Sequence, residues 1–366
     1  MRKRNTFIFL IKTVIAVLTV MSITIYCNDN DLMDILPNNI NVRSIIIDPY
    51  NTNVLYAGID KAGLYRSTDN GENWAYVGTK LPCDYNIYLI AIDPADRAIY
   101  VGTSCGLYMS YDGNEWKYSI GYITYGMIFQ PTKSSSIKYI STSDGSYFST
   151  IEHTWEKNAT PFPHVSLNPV AAGPSDPGIT YFIMTKPDDV GIYFTDDAGI
   201  KHEWNDYGIY KSNGLGGTLE KVSSIKLSNF LMSSYNKNLM YGTNGKKLLK
   251  SIDGGVTWKE NQIDIMESDI VMLAMNPSDN NILYAITSYY NGKQIITRLD
   301  YSLSRIFKTI DGGETWQIIS DFPASKIVIN PSNPDILYAG TQCGIFKSTN
   351  SGKTWEAHNN GIKPIK

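Results

Sequence analysis

Carboxylates at a fixed spacing are the first chemistry this chain offers. Asp69, Asp112, Asp197, Asp253 and Asp311, with Asn350 in the matching place, each follow a Ser or Thr by two residues and precede a tryptophan. Carboxylates do general acid–base work, but one reaction does not need its acid repeated along the chain. The repetition reads as structure instead. The carboxylate accepts backbone N–H groups of a tight turn, and the glycine after it supplies a left-handed φ that other residues resist. The seven tryptophans, Trp74, Trp116, Trp155, Trp204, Trp258, Trp316 and Trp355, each close one version of this Ser-x-Asp-x-Gly-x-x-Trp motif. Some versions are irregular: Ser110 to Trp116 lacks one residue, Thr195 to Trp204 has two extra, and Ser149 to Trp155 has lost both Asp and Gly.

Candidate ligand contacts are the residues that break the repeat. The largest departure runs from Ser288 to Ser304 in the sixth copy and brings Tyr289, Tyr290, Arg298 and Tyr301. Asp144, Asp188 and Asp189 fall at the same step in other copies, and Arg43 is the one arginine on an opening strand. Further contributors are Asp60, Lys61, Tyr85, Tyr88, Tyr122, Tyr125, Phe162 and His164. Tyrosines interleaved with Asn, Asp and Gln can stack on and hydrogen-bond a sugar or a peptide; covering strand ends is the plainer use of the same residues. His153, His164, His202 and His358 lack metal-ligand spacing, and no cofactor motif is present.

The elements that must position these residues recur with the motif. Each copy opens on an apolar run ending in Asp-Pro or Asn-Pro, as in Ile45-Ile46-Ile47-Asp48-Pro49 and Ile327-Val328-Ile329-Asn330-Pro331. Proline cannot donate to a ladder, so it ends this strand. A second strand of Leu-Tyr-Ala-Gly type places a tyrosine at one fixed position (Tyr56, Tyr100, Tyr139, Tyr181, Tyr241, Tyr284, Tyr338), which predicts packing between sheets with the hydroxyl near an edge. A short alternating third strand such as Gly63-Leu64-Tyr65-Arg66-Ser67 follows. Repetition every 40 to 50 residues or so, with strands inside each unit, predicts an all-β seven-bladed propeller of four-stranded antiparallel blades. The Ser-x-Asp turns then share one face, and the second-to-third-strand loops and blade connections share the other, where binding residues are expected. Because the last copy ends on its own fourth strand near Glu356 to His358, the first and last blades are expected to meet by packing alone.

The motifs Ser67-Thr68-Asp69-Asn70-Gly71-Glu72-Asn73-Trp74, Ser251 to Trp258, Thr309 to Trp316 and Ser348 to Trp355 resemble the Asp-box, or BNR, repeat family of sialidases, xyloglucanases, sortilin-type receptors and photosystem II assembly propellers. The resemblance covers roughly residues 40 to 358. It implies a glycoside hydrolase as one function. A sialidase, however, grips its substrate carboxylate with an arginine cluster, whereas Arg66 and Arg97 belong to repeat and turn, leaving Arg43, Arg298 and Arg305. The xyloglucanase family sets its cleft between two propellers, and this chain has residues for one. An acid pair drawn from Asp144, Asp188, Asp189, Asp264 or Asp269 stays open. The assembly propellers imply a scaffold role. The preferred expectation is a non-catalytic propeller that binds a glycan, a peptide or an envelope protein; the alternative is a sialidase- or xyloglucanase-like glycosidase.

Arg2, Lys3 and Arg4 precede an apolar run from Phe7 to Tyr26 and then Cys27. That pattern predicts an export signal over residues 1–27, with Cys27 lipidated or the run retained as an anchor, and a polar linker over 28–39 before a propeller over 40–366. The membrane is met only through this N-terminal lipid or anchor. Beyond Cys27 there are 28 basic and 35 acidic residues, a net charge of −7. No basic cluster stands against it, which excludes nucleic acid as the partner, and a monomer is expected. Three cysteines remain, an odd number, so disulfides are not expected to hold the fold, although Cys83 with Cys105 is one available pair. Cys105 and Cys343 occupy the same repeat position with a blade between them, too far apart to bond.

Overall fold

The computed structural model describes residues 40–363 except 84–85, 132–135, 151–153, 158–166, 173–178, 185–192, 196–200, 204–207, 214–218, 263–267, 289–303 and 322–323. These residues form seven four-stranded antiparallel sheets and one separate two-stranded hairpin. Blade one comprises Val42–Ile47, Leu55–Ile59, Gly63–Ser67 and Ala75–Tyr76 in that spatial order. Blades two to seven open on Ile87–Ile92, Thr124–Pro131, Leu167–Ala172, Asn229–Met232, Asp269–Asn276 and Ala324–Ile329. Each opening strand touches those of the blades before and after it, and the first touches the last, so the sheets stand round a circle with their opening strands innermost. The β-propeller expected from the repeat is the fold observed.

The core lies between consecutive sheets. Val54, Tyr56 and Leu64 of blade one pack with Ile90, Ile99 and Val101 of blade two, and Tyr284 and Ile286 of blade six pack with Ile327, Leu337 and Ala339 of blade seven. The fixed tyrosine works at these junctions as its position predicts. Tyr338 donates its hydroxyl to the carbonyl of Asn70 at 2.8 Å, and Tyr241 donates to that of Gly312 at 3.2 Å, each in the Ser-x-Asp turn of the next blade. Its cross-strand neighbour is a cation that does the same: Lys250 reaches Gly312 at 3.2 Å, Lys308 reaches Ser351 at 3.4 Å, and Arg66 reaches Asp112 at 3.5 Å. These cations also lie 5.4 to 5.6 Å from the ring centroids of Tyr241, Tyr284 and Tyr56.

The turns themselves are built as proposed, with one addition. Asp69 accepts the amide of Asn73 at 2.9 Å, and Asp253 and Asp311 accept those of Thr257 and Thr315 at 2.9 Å. The leading hydroxyl is an acceptor too, since Ser67, Ser251 and Ser348 each take the glycine amide four residues on at 2.9 Å. Two successive residues adopt left-handed φ, Asn70 and Gly71 in blade one and Ser351 and Gly352 in blade seven. The second must be glycine for a further reason, because a Cβ on Gly352 would lie 2.5 Å from Ile319 of the blade before.

Blade four corrects the sequence reading. Its third and fourth strands are Gly208–Asn213 and Leu219–Ser223, so the stretch from Thr195 to Trp204 does not join them. Tyr193–Thr195 and Lys201–Glu203 instead form the separate hairpin, inserted between the second and third strands. A Ser-x-Asp motif requires only two antiparallel strands, and spacing alone does not say which two. Asp197 and Trp204 themselves lie outside the described residues.

Ring closure is the second correction. Among the described residues no strand is exchanged, yet the ends are not joined by packing alone. The segment after Glu356–Ala357 runs along blade one: the Trp74 indole donates to His358 at 2.9 Å, the Trp74 amide donates to Asn360 at 2.8 Å, and the Tyr65 hydroxyl donates to Lys363 at 2.8 Å. Lys347 meets Glu72 across the seam at 2.8 Å. In the other regular copies the indole serves its own turn, Trp258 donating to Gly255 at 2.8 Å and Trp355 to Gly352 at 3.0 Å. Cysteine pairing is a third point: Cys83 and Cys105 are bonded, with their Cα atoms 5.8 Å apart.

Candidate binding site

At the loop-face end of the opening strands several blades share an irregularity of register. In blade one, Val42 and Ser44 pair with the adjacent residues Ile59 and Gly58, leaving Arg43 as an extra residue. The same one-residue bulge sets out Tyr88 in blade two, Tyr125 in blade three, Val271 in blade six and Ser325 in blade seven. Bulges re-aim side chains and concentrate beside functional sites. Here they place neighbours in series. The Arg43 guanidinium carbon lies 5.8 Å from the centroid of Tyr88, and the Tyr88 and Tyr125 rings meet edge to face at 6.4 Å. Tyr125 is 55% exposed, so the strip offers aromatic surface to solvent.

Each member is braced from behind. Asp60, in the second-to-third-strand loop of blade one, pairs with Arg43 at 3.0 Å and takes a long bond from the Asn41 amide side chain at 3.5 Å. Its other oxygen is buried with no hydrogen-bond partner among the described residues. The Cys83–Cys105 bridge ties the connection before Tyr88 to the loop of blade two, and the Ser104 amide donates to Asn86 at 3.2 Å beside it. In the same blade as Tyr125, the exposed Tyr122 stacks on Tyr147 at 5.6 Å. The Tyr147 hydroxyl bonds Asp144, which also pairs with Lys157 at 2.9 Å. Burial first, and the Asp144 carboxylate second, push the Tyr147 hydroxyl above its ordinary range. A cation, several phenol rings and carboxylates held in reserve can stack on and hydrogen-bond a polyhydroxylated or amide-rich chain.

Of the contacts expected from sequence, Arg43 and Asp144 are both on this face, one in the strip and one flanking it. Tyr289, Tyr290, Arg298, Tyr301, Asp188 and Asp189 lie outside the described residues, as does Asp264. Asp112, Asp253, Asp311 and Asn350 accept hydrogen bonds within their turns, like Asp69. Sequence reasoning named Tyr88 and Tyr125 only as residues of blade connections and missed Lys157 and Tyr147. A bulge leaves no mark in hydrophobic alternation; the signal that could have found it is a polar or aromatic residue breaking the apolar run in several copies at once. Among the described residues no group of three or more His, Cys, Asp or Glu could hold a metal ion.

No protein-family model matches the chain. It is similar to xyloglucanase Xgh74A of Acetivibrio thermocellus, 24% identical over 314 residues, covering 76% of this chain and 32% of that enzyme. The chain therefore spans about a third of that relative's length. Among solved structures it resembles the GH74 enzyme of Niastella koreensis, with a TM-score of 0.64 at 17% identity, over 89% of this chain and 55% of the enzyme. It also resembles YCF48 from Cyanidioschyzon merolae, with a TM-score of 0.58 at 14% identity, over 87% of this chain and 98% of YCF48. YCF48 has also been solved bound to a D1 peptide. At these identities the structural likeness establishes the β-propeller fold shared by all of them.

Proposed function

We propose that this protein captures an extended glycan across the mouth of its ring and does not turn it over. The observation that carries the reading is the series Arg43, Tyr88 and Tyr125, bulged residues of three consecutive blades, each touching the next. Phenol rings in a row suit successive sugar faces, and an arginine beside them suits hydroxyls. Asp60 and Asp144 are each committed to a cation, which fits a binding surface better than an acid–base pair. The glycan is preferred to a peptide because the curated relative is named a xyloglucanase. With the capture goes the rest of the reading: an Asp-box propeller over 40–366, exported by residues 1–27, tethered through Cys27 or an anchor and the linker 28–39, acting as a monomer.

The same similarity favours a second reading, a glycosidase whose acid residues include carboxylates of this face. Affinity electrophoresis against xyloglucan and other polysaccharides, with reducing-sugar release measured in parallel, separates the two. Tyr88→Ala and Tyr125→Ala should each weaken retention about tenfold, roughly 1.4 kcal/mol, with the melting temperature unchanged. Retention unaffected by both substitutions would remove the mouth as the site, and sugar release abolished by a single carboxylate substitution would establish the enzyme.

A further inference from the structure

Lys326 stands on the innermost strand of blade seven, one residue past the bulged Ser325, and is exposed. It leaves the strand on the side of blade one. A Cβ added to its partner Gly340 would lie 3.6 Å from the Lys326 Cβ and 2.8 Å from Val42, while Ser325 donates its hydroxyl to the Val42 carbonyl at 3.0 Å. Val42 precedes Arg43, so Lys326 adjoins the end of the strip that the arginine forms.

This lysine has no structural task. The other cations at blade junctions, Arg66, Lys250, Lys308 and Lys347, each bond the turn of the next blade. Among the described residues Lys326 has no ion pair and no hydrogen bond, and of the blade-one carboxylates Asp60 is held by Arg43 and Glu72 by Lys347. Nor is it part of the repeat: the matching positions hold Ser44, Leu89, Gly126, Asn229 and Met272. Desolvation alone holds its ammonium below the ordinary lysine range, the expected effect of a concave protein wall without a counter-charge. An arriving anion would favour the charged form.

We propose that Lys326 reads an anionic substituent on the captured chain, so that the ligand is an acidic glycan bearing uronic-acid carboxylates, bound with its charged unit at the seam of blades seven and one and its neighbours along Tyr88 and Tyr125. This deepens the reading of the mouth as a glycan site and rests on it. Carboxylate and sulfate ester share the chemistry of an anionic oxygen group; the carboxylate is favoured because its single charge is spread over two oxygens rather than three, the stronger match for one compact ammonium.

The test compares polygalacturonate, dextran sulfate and neutral dextran on wild type, Lys326→Met, Lys326→Arg and Tyr88→Ala. Wild type should retain polygalacturonate at least about tenfold better than dextran, less so at high salt. Lys326→Met should lose that preference and keep its affinity for dextran, while Lys326→Arg keeps most of both. Equal retention of polygalacturonate by wild type and Lys326→Met overturns the inference and leaves the mouth standing. Retention insensitive to Tyr88→Ala overturns the mouth itself, and tighter binding of dextran sulfate than of polygalacturonate replaces carboxylate by sulfate. A second readout needs no polymer affinity: acetylation of Lys326 by acetic anhydride, followed by mass spectrometry, should be slowed by free galacturonate and not by galactose. Equal labelling in the two sugars refutes the proposal.

Discussion

Trp74→Ala should open the ring at one place and nowhere else. Trp74 is 4% exposed and packs with Ile40, Val42, Ile45, Tyr338, Ile345 and Ile362, residues from both ends of the chain. Truncating a buried tryptophan costs about 3–5 kcal/mol through lost burial and the cavity left behind. The indole's bond to His358 goes as well, leaving that carbonyl without its partner. Because Trp74 and Tyr65 help hold the segment 358–363 against blade one, the loss should fall on local opening of this segment before global unfolding. At 1.4 kcal/mol per decade, the amides of His358 and Ile362, bonded to Ile345 and Asn359, should exchange about 100 to 4,000 times faster. Hydrogen exchange read by mass spectrometry on peptides covering the seam measures this, with Trp258→Ala as the control. Trp258 serves its own turn through Gly255, so its removal should speed exchange in blade five and leave the seam within about threefold. Equal acceleration at the seam in both variants, or none in Trp74→Ala, would refute the argument that this indole joins the ends.

Two further outcomes follow from the geometry. Replacing Cys83 and Cys105 by serine opens a loop with a sequence separation of 22, which should lower stability by about 3 kcal/mol in the chain-entropy account; a calorimetric melting temperature unmoved by reduction would contradict it. The turn carboxylates predict acid sensitivity with a definite sign. Asp253 is held down to about 2 by the Thr257 hydroxyl, the Thr257 amide and Ser251, and Asp112 to about 2 by the amides of Glu115 and Asn114. A depressed carboxylate contributes stability that is fully present above its unfolded pKa, near 3.8, and is lost as pH falls toward 2. Melting temperature should be flat above about pH 5 and fall between about pH 4 and 2. Asp253→Asn should flatten that fall, since Asn350 already fills the place in blade seven. An unchanged profile in the variant would count against the turns as its source.

The sequence alone determined the ring and its internal grammar. Asp-Pro corners, one tyrosine per unit and the Ser-x-Asp turns are local chemistry repeated in order, and repeated local chemistry closes into repeated sheets because each sheet can bury its faces only against copies of itself. Arg43 was legible too, as the one arginine on an opening strand. What needed the tertiary structure is everything that depends on which strand faces which. Thr195 to Trp204 has the motif but belongs to an inserted hairpin. The seam bonds of Trp74 to His358 and Asn360 link residues nearly a chain length apart. The bulges that set Arg43, Tyr88 and Tyr125 side by side are register shifts between strands, and register is a relation between two segments that neither segment states by itself. Lys326 shows the limit most plainly: on its own strand it is one more lysine, and only the absence of a partner among the described residues makes it a candidate for chemistry.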